Sequence, residues 1–331
     1  MIANFFYKNK LVLVVFSSIL VVFSVLPLAV SAATLYLEPK SGEYKIGDTF
    51  IIEARLNLKA EENINVIEAN LKYPQDLLEA VDLSFGDSLL TIIPQPPTID
   101  KEKGIINFVG GIPGGYSGHI AGDPGLSNLL VKMIFKVREI PQDQLNANGQ
   151  QIKTEIKFLD NSELLLNDGL ATPLKPTIQN VNLTILPNNQ VIPKDEWSEV
   201  LKEDKILPEP FTVEIKQDPL IFDNKYFIVF STTDKQSGLK YYEISETRDK
   251  NQENWNKGNS PYLLTDQNLN SIIKVRAVDM AGNMRTEIIT LPQPTKKIPF
   301  FILLIILFTL IIFCCLLFIL KNNKINKLKN Q

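Results

Sequence analysis

The chain has 331 residues, 45% of them hydrophobic, with 34 lysines and arginines against 37 aspartates and glutamates and a formal net charge of −3. That length and apolar content suit two ordinary domains, each with its own core. A single histidine and two cysteines exclude any site that needs two imidazoles. Because Cys314 and Cys315 both sit in one apolar C-terminal run, a disulfide framework or thiolate metal site elsewhere is excluded as well. Eight lysines and no acids lie at the two ends, which leaves 26 basic against 37 acidic residues between them, a net of −11. A surface of that sign excludes nucleic acid and anionic lipid headgroups as bulk electrostatic partners, and it is compatible with cations, sugars or a basic protein.

Residues 1–32 read as a signal peptide. Lys8 and Lys10 form a positive leading region, and 11–28 is an apolar run interrupted only by Ser17, Ser18, Ser24 and Pro27. Val30-Ser31-Ala32 then supplies small residues for cleavage after Ala32 or Ala33. The alternative is an uncleaved N-terminal anchor, since the run is long for a leader. Both readings export the chain beyond this segment.

From 33 to 186 the pattern has a period of two, the mark of half-buried strands. Phe50, Ile52, Ala54, Leu56 and Leu58 alternate with polar or outward positions, as do Ile152, Thr154, Ile156 and Phe158. Leu129, Val131, Met133, Phe135 and Val137 make a further inward face, and Leu71, Tyr73, Ile105, Val109, Val181, Leu183 and Ile185 mark other strands. About nine strands separated by Gly, Pro, Asn and Asp turns predict one antiparallel β-sandwich.

Residues 187–210 contain four prolines and a charged stretch, and they read as a linker with at most a short helix around Trp197, Val200 and Leu201. Strands resume over 212–215, 225–230, 239–244, 271–278 and 287–291, with a turn-rich stretch at 247–260, so 211–292 reads as a smaller Ig-like sandwich. A spacer at 293–298 comes next, with Pro294 in it. Residues 299–320 read as a transmembrane helix, in which 300–320 carry Thr309 as the one conventional polar side chain. The lysines of the tail at 321–331 place that tail on the cytoplasmic side.

Two resemblances add to this. Tyr44-Lys45-Ile46-Gly47-Asp48-Thr49-Phe50, Tyr73-Pro74, Asp76-Leu77-Leu78-Glu79, the strand 129–137 and Asn167-Asp168-Gly169 occur in an order that resembles the cohesin family, over 33–186. Asp234-Lys235-Gln236-Ser237-Gly238-Leu239 and Val275-Arg276-Ala277-Val278-Asp279-Met280-Ala281-Gly282-Asn283 resemble Ig-like modules of bacterial surface proteins. The fold class expected is therefore all-β: a cohesin-like jelly-roll sandwich, an Ig-like sandwich and one C-terminal transmembrane helix. The resemblance implies that the first module binds a dockerin-type protein module or a polysaccharide, and with the two apolar ends the chain reads as a membrane-anchored cell-surface protein with no enzymatic activity. A purely structural envelope protein and a polysaccharide hydrolase are the alternatives.

Candidate chemistry is sparse. The 110–125 segment holds seven of the sixteen glycines. It lacks the lysine and serine or threonine ending of a phosphate loop, so it reads as a surface loop that could offer Tyr116 and His119 to a ligand. No catalytic residue or cofactor is assigned, and two carboxylates alone do not define a glycosidase. Calcium is the ion best suited to such a chain, through Asp123, Asp160, Asp168, Asp234 or Asp279, but the spacing of an EF-hand is missing, turn formation explains each aspartate better, and no metal site is assigned. Tyr36, Tyr44, Tyr73 and Tyr116 either stack on sugar rings or pack in the core.

Overall fold

The computed structural model describes residues 33–58, 62–118, 128–139, 151–187, 192–249, 253–289 and 308–313. The signal-peptide expectation therefore falls outside the described residues. So does most of the expected transmembrane helix, of which only 308–313 are described, helical and exposed. Among the described residues no helix is long and apolar enough to cross a membrane.

The first unit is built from β1 (Thr34–Glu38), β2 (Ser41–Lys45), β3 (Thr49–Asn57), β4 (Ile64–Lys72), β5 (Leu78–Ser84), β6 (Thr98–Asp100), β7 (Ile105–Tyr116), β8 (Leu129–Val137), β9 (Ile152–Phe158), β10 (Glu163–Leu166), β11 (Pro173–Leu174), β12 (Thr177–Gln179) and β13 (Val181–Leu186). One sheet runs β12-β1-β3-β8-β5, and the other runs β11-β10-β4-β9-β13-β2, with β7 on β4 and β6 on β7. Among the described residues thirteen strands stand where about nine were expected, because several short edge strands carry too few residues to show an alternation. Chain entry and exit are interleaved: β1 lies parallel to β12, and β2 lies parallel to β13. Pro39 stands between β1 and β2, where a residue without an N–H ends the first ladder and lets the chain cross to the second sheet.

The alternation read in the sequence is the core. Phe50, Ile52, Ala54 and Leu56 are fully buried, as are Val131, Met133 and Phe135. Phe50 stacks beside Phe135 at 5.9 Å between centroids, and Tyr73 meets Phe135 edge-on at 5.4 Å.

The second unit comprises β14 (Val213–Asp218), β15 (Ile221–Phe230), β16 (Leu239–Thr247), β17 (Asn256–Lys257), β18 (Tyr262–Leu263), β19 (Ile272–Asp279) and β20 (Met284–Ile289). Its sheets are β14-β15-β18 and β17-β16-β19-β20. They enclose a small core of Ile228, Phe230, Ile244, Leu264, Ile273 and Val275.

The described part of the expected linker, from residue 192 onward, is structured and docked. The helix α1 (Glu196–Glu203) is capped by Asp195, whose carboxylate accepts from Ser198 N at 2.9 Å. β1 pairs with β3 only as far as Glu53, so amides at the start of β3 need other acceptors. Thr49 N donates to Lys194 O at 2.8 Å, and Ile51 N donates to the Glu196 carboxylate at 3.2 Å. Trp197, the buried residue of α1, belongs to this packed helix. The proline and charge content that suggested a spacer is local, whereas these unfilled amides are a property of the assembled sheet.

The two sandwiches meet where the end of β5 faces loop 234–238. Ser84 Oγ donates to Ser237 O, and Lys132 Nζ donates to Gln236 O at 3.1 Å. A Cβ on Gly86 would stand 2.2 Å from Gln236 O, and one on Gly238, whose φ is +88°, would stand 2.7 Å from Ser84 Oγ. Only glycine permits this approach. Gly86→Val is expected to part the sandwiches while leaving both folded. Small-angle scattering would register this as a larger maximum dimension with unchanged circular dichroism.

Candidate functional site

The outer face of the first sandwich is laid out by the register of β4. Facing away from the core, Val66 pairs with Gly111, Glu68 with Val109, Asn70 with Asn107 and Lys72 with Ile105. On the other flank Glu163 stands opposite Glu68, Leu165 opposite Val66 and Lys157 opposite Lys72. The same strands send Ile67, Ala69, Leu71, Ile106 and Phe108 inward, all fully buried. The period-two geometry thus forces a solvent face with an acidic row, an amide row and a basic row in succession.

The amide row is tied together. Asn107 Nδ2 donates to Asn70 Oδ1 at 2.9 Å, and Asn70 Nδ2 donates to Asn161 O at 3.2 Å. Ser162 Oγ bonds both the N–H and the C=O of Asn70, at 3.0 and 3.1 Å. Asn70 is 7% exposed, so these bonds satisfy a polar side chain that would otherwise be costly to bury.

At the acidic end the face opens into a groove of about 370 Å³, bordered by Val66, Val109, Ile92, Pro94, Asn65 and Asn167. Its far wall is a ridge formed by 91–96, held to β7 by Ile92 N donating to Gly111 O at 3.2 Å and Gly111 N donating to Ile92 O at 2.8 Å. A second groove of about 560 Å³ lies between the same ridge and Phe230, Thr232, Tyr242 and Ser260 of the second sandwich. Ile92 and Pro94 border both grooves, and Ile92 is 52% exposed. Asn65 Nδ2 donates to Asn167 Oδ1 at 3.2 Å, and Asn167 Nδ2 donates to Gly114 O at 3.1 Å. Asn65 Oδ1 is buried without a donor among the described residues.

The sequence candidates are dispersed. Tyr116 is a correction: it is 4% exposed and paired with Ile64 as the last residue of β7, so its ring belongs to the core and not to a ligand-contacting loop. The glycine-rich segment begins as strand, not loop. Gly110 is required there because a Cβ would meet Leu90 at 2.5 Å, and Gly114 and Gly115 both have a φ of +80°. His119 and Asp123 lie outside the described residues.

Asp160 is an exposed turn residue. Asp168 closes a turn by accepting from Leu170 N at 2.9 Å, and the Thr172 hydroxyl holds its carboxyl below the ordinary range. The tyrosines pack. Tyr44 stacks on Phe50 at 3.7 Å, with its hydroxyl pushed up to about 12 by burial and by the Glu196 carboxylate. Tyr73 is fully buried, and Tyr36 accepts from Asn128 Nδ2 at 2.8 Å. Of the five candidate aspartates, Asp234 and Asp279 do converge, together with Asp204 from the expected linker. Asp204 carried no sequence signal, because its role depends on where α1 docks.

Among known proteins, no family model matches the chain, and no curated protein matches it. Solved structures do. The solved structures it is similar to include cohesin domains. The chain is 15% identical to a cohesin in a type I cohesin–dockerin complex from Clostridium thermocellum, covering 47% of this chain and 95% of that one with a TM-score of 0.37. It is 16% identical to the seventh type I cohesin of the ScaB protein from Pseudobacteroides cellulosolvens, covering 49% of this chain and 96% of that one with a TM-score of 0.33. A type II cohesin dyad from a scaffoldin of Acetivibrio cellulolyticus is 15% identical, with 77% and 76% covered and a TM-score of 0.30.

The ridge and the first groove depend on the glycine at 110. Gly110→Val is expected to push Leu90 and the ridge away from β7. A lowered melting temperature and faster proteolytic nicking within 89–96 would report it, and unchanged values for both would contradict this account of the groove.

Proposed function

We propose that this chain is a non-enzymatic cell-surface binding protein whose first sandwich receives a folded protein module of dockerin type on the outer face of β4 and β7. The observation that carries the reading is the ordered face itself, with its acidic row, satisfied amide row and basic row beside an apolar groove. A charge gradient across a flat face orients a folded partner, and an adjoining apolar groove gives it a place to bury an anchor side chain. The cohesin-like sequence elements agree with this assignment. Glu68 and Glu163 are the facing acid pair, and both are exposed on an open sheet. That environment suits charge recognition.

A polysaccharide is the second ligand class, favoured by one feature. Asn65 Oδ1, a buried acceptor at the groove, is placed to take a hydrogen bond from a hydroxyl as readily as from an amide. Tyr44, Tyr73 and Tyr116 pack inward and offer no stacking platform for it. The Ig-like sandwich serves as a spacer, and the apolar run at 300–320 anchors the protein with its lysine tail inside.

Two measurements test this. Titration of the exported part against a panel of dockerin-type modules, with a glycan array alongside, is expected to find a module that binds. Val109→Asp should then weaken that binding by about tenfold or more, roughly 1.4 kcal/mol, without lowering the melting temperature. Binding of no module, or binding indifferent to Val109→Asp, would discard the assignment of this face. Retention on glycans alone would move it to the polysaccharide class. For the anchor, the full chain is expected to sediment with membranes and a chain ended at residue 291 to be released. Recovery of both in the soluble fraction would refute the anchor.

A further inference from the structure

Three aspartates far apart in sequence meet beside the domain junction: Asp204 just after α1, Asp234 at the start of loop 234–238 and Asp279 at the end of β19. They are 1%, 2% and 0% exposed. One carboxylate oxygen from each lies within 4.8 Å of the others. Neutral amides hold them in place. Asp204 accepts from Ile206 N and Ser237 N, both at 3.0 Å, and Asp279 accepts from Asn283 N and Asn283 Nδ2, both at 2.8 Å. Asp234 Oδ1 accepts from Gln236 N at 3.1 Å and from Gly238 N at 2.8 Å.

Asp234 Oδ2 is different: it is buried and has no donor among the described residues. No ion pair among the described residues includes any of the three. Three acids buried side by side, one with an oxygen left over, lack the positive charge that such a group needs.

We propose that Asp204, Asp234 and Asp279 bind one calcium ion, and that the ion sets loop 234–238 in the form that docks the second sandwich on the first. Ligands about 2.3–2.6 Å from a common ion stand at most about 5 Å apart, which matches the spacing of these oxygens. The donor set is oxygen only, suited to a hard cation and not to zinc or copper. The coupling to domain docking is structural. The loop that begins at Asp234 presents Gln236 O, Ser237 O and Gly238 to Lys132, Ser84 and Gly86 of the first sandwich. Asp204 in turn ends the helix that is bonded to β3. A single ion therefore fastens the end of the docked linker, the junction loop and the second core to one another. The inference stands apart from the identity of the partner on β4 and β7.

The test uses the full chain in detergent, stripped with chelator. Calorimetric titration with calcium chloride is expected to show one ion per chain, and calcium should raise the melting temperature more than magnesium does. Scattering should show a smaller maximum dimension with calcium than with chelator. Asp234→Asn keeps the side-chain shape and the Oδ1 acceptor and is expected to weaken calcium binding by roughly tenfold or more. Absence of calcium binding in the wild-type chain overturns the site, and this arm holds even where a variant fails to fold. Binding that Asp234→Asn leaves unchanged places the ion elsewhere and also overturns it. Calcium binding with dimensions indifferent to chelator overturns the docking role.

Discussion

The arrangement depends on one close approach of backbones, Gly86 of the first sandwich against 236–238 of the second. Two sandwiches joined by a proline-rich segment would ordinarily move independently. Here the absence of side chains at Gly86 and Gly238 lets Ser84 and Lys132 reach main-chain oxygens directly. The groove of about 560 Å³ beside the 91–96 ridge exists because the second sandwich is held at that distance. The junction loop is fixed from one side by these contacts and from the other by Asp204 and Asp234.

The docked helix contributes to the same rigidity by a different route. β3 is longer than the part of β1 that covers it, and the missing acceptors come from Lys194 and Glu196. A linker that completes a sheet cannot behave as a loose tether, since releasing it would leave amides of β3 without partners. The first sandwich, the helix and the second sandwich thus form a continuous path of hydrogen bonds ending at Asp204.

On the first sandwich, structure and recognition are divided between the two faces of the same strands. Ile67, Ala69 and Leu71 build the core, while Glu68, Asn70 and Lys72, their immediate neighbours, build the outer face. The glycines of β7 serve the face indirectly. Gly110 makes room for Leu90 and so lets the ridge lie close, and Gly111 pairs with Ile92. A segment that reads as a loose loop is in part a strand flattened to carry another segment on top of it.

What the sequence determined by itself was what is local. The alternation of Phe50, Ile52, Ala54 and Leu56 specified which side of β3 is buried, because a strand's side chains alternate whatever it pairs with. The same rule read β4, β7, β8, β9 and β13. It failed for Tyr116, where proximity to glycines suggested a loop and pairing with Ile64 made the residue core. Asp234 and Asp279 were visible as candidates, but nothing in the sequence connected them to Asp204, 30 residues before Asp234 in what reads as a linker. Their meeting, the rows on the outer face and the contact of Gly86 with the junction loop were decided only by tertiary structure. Each depends on which strands become neighbours and in what register, and that is set by the packing of the whole chain.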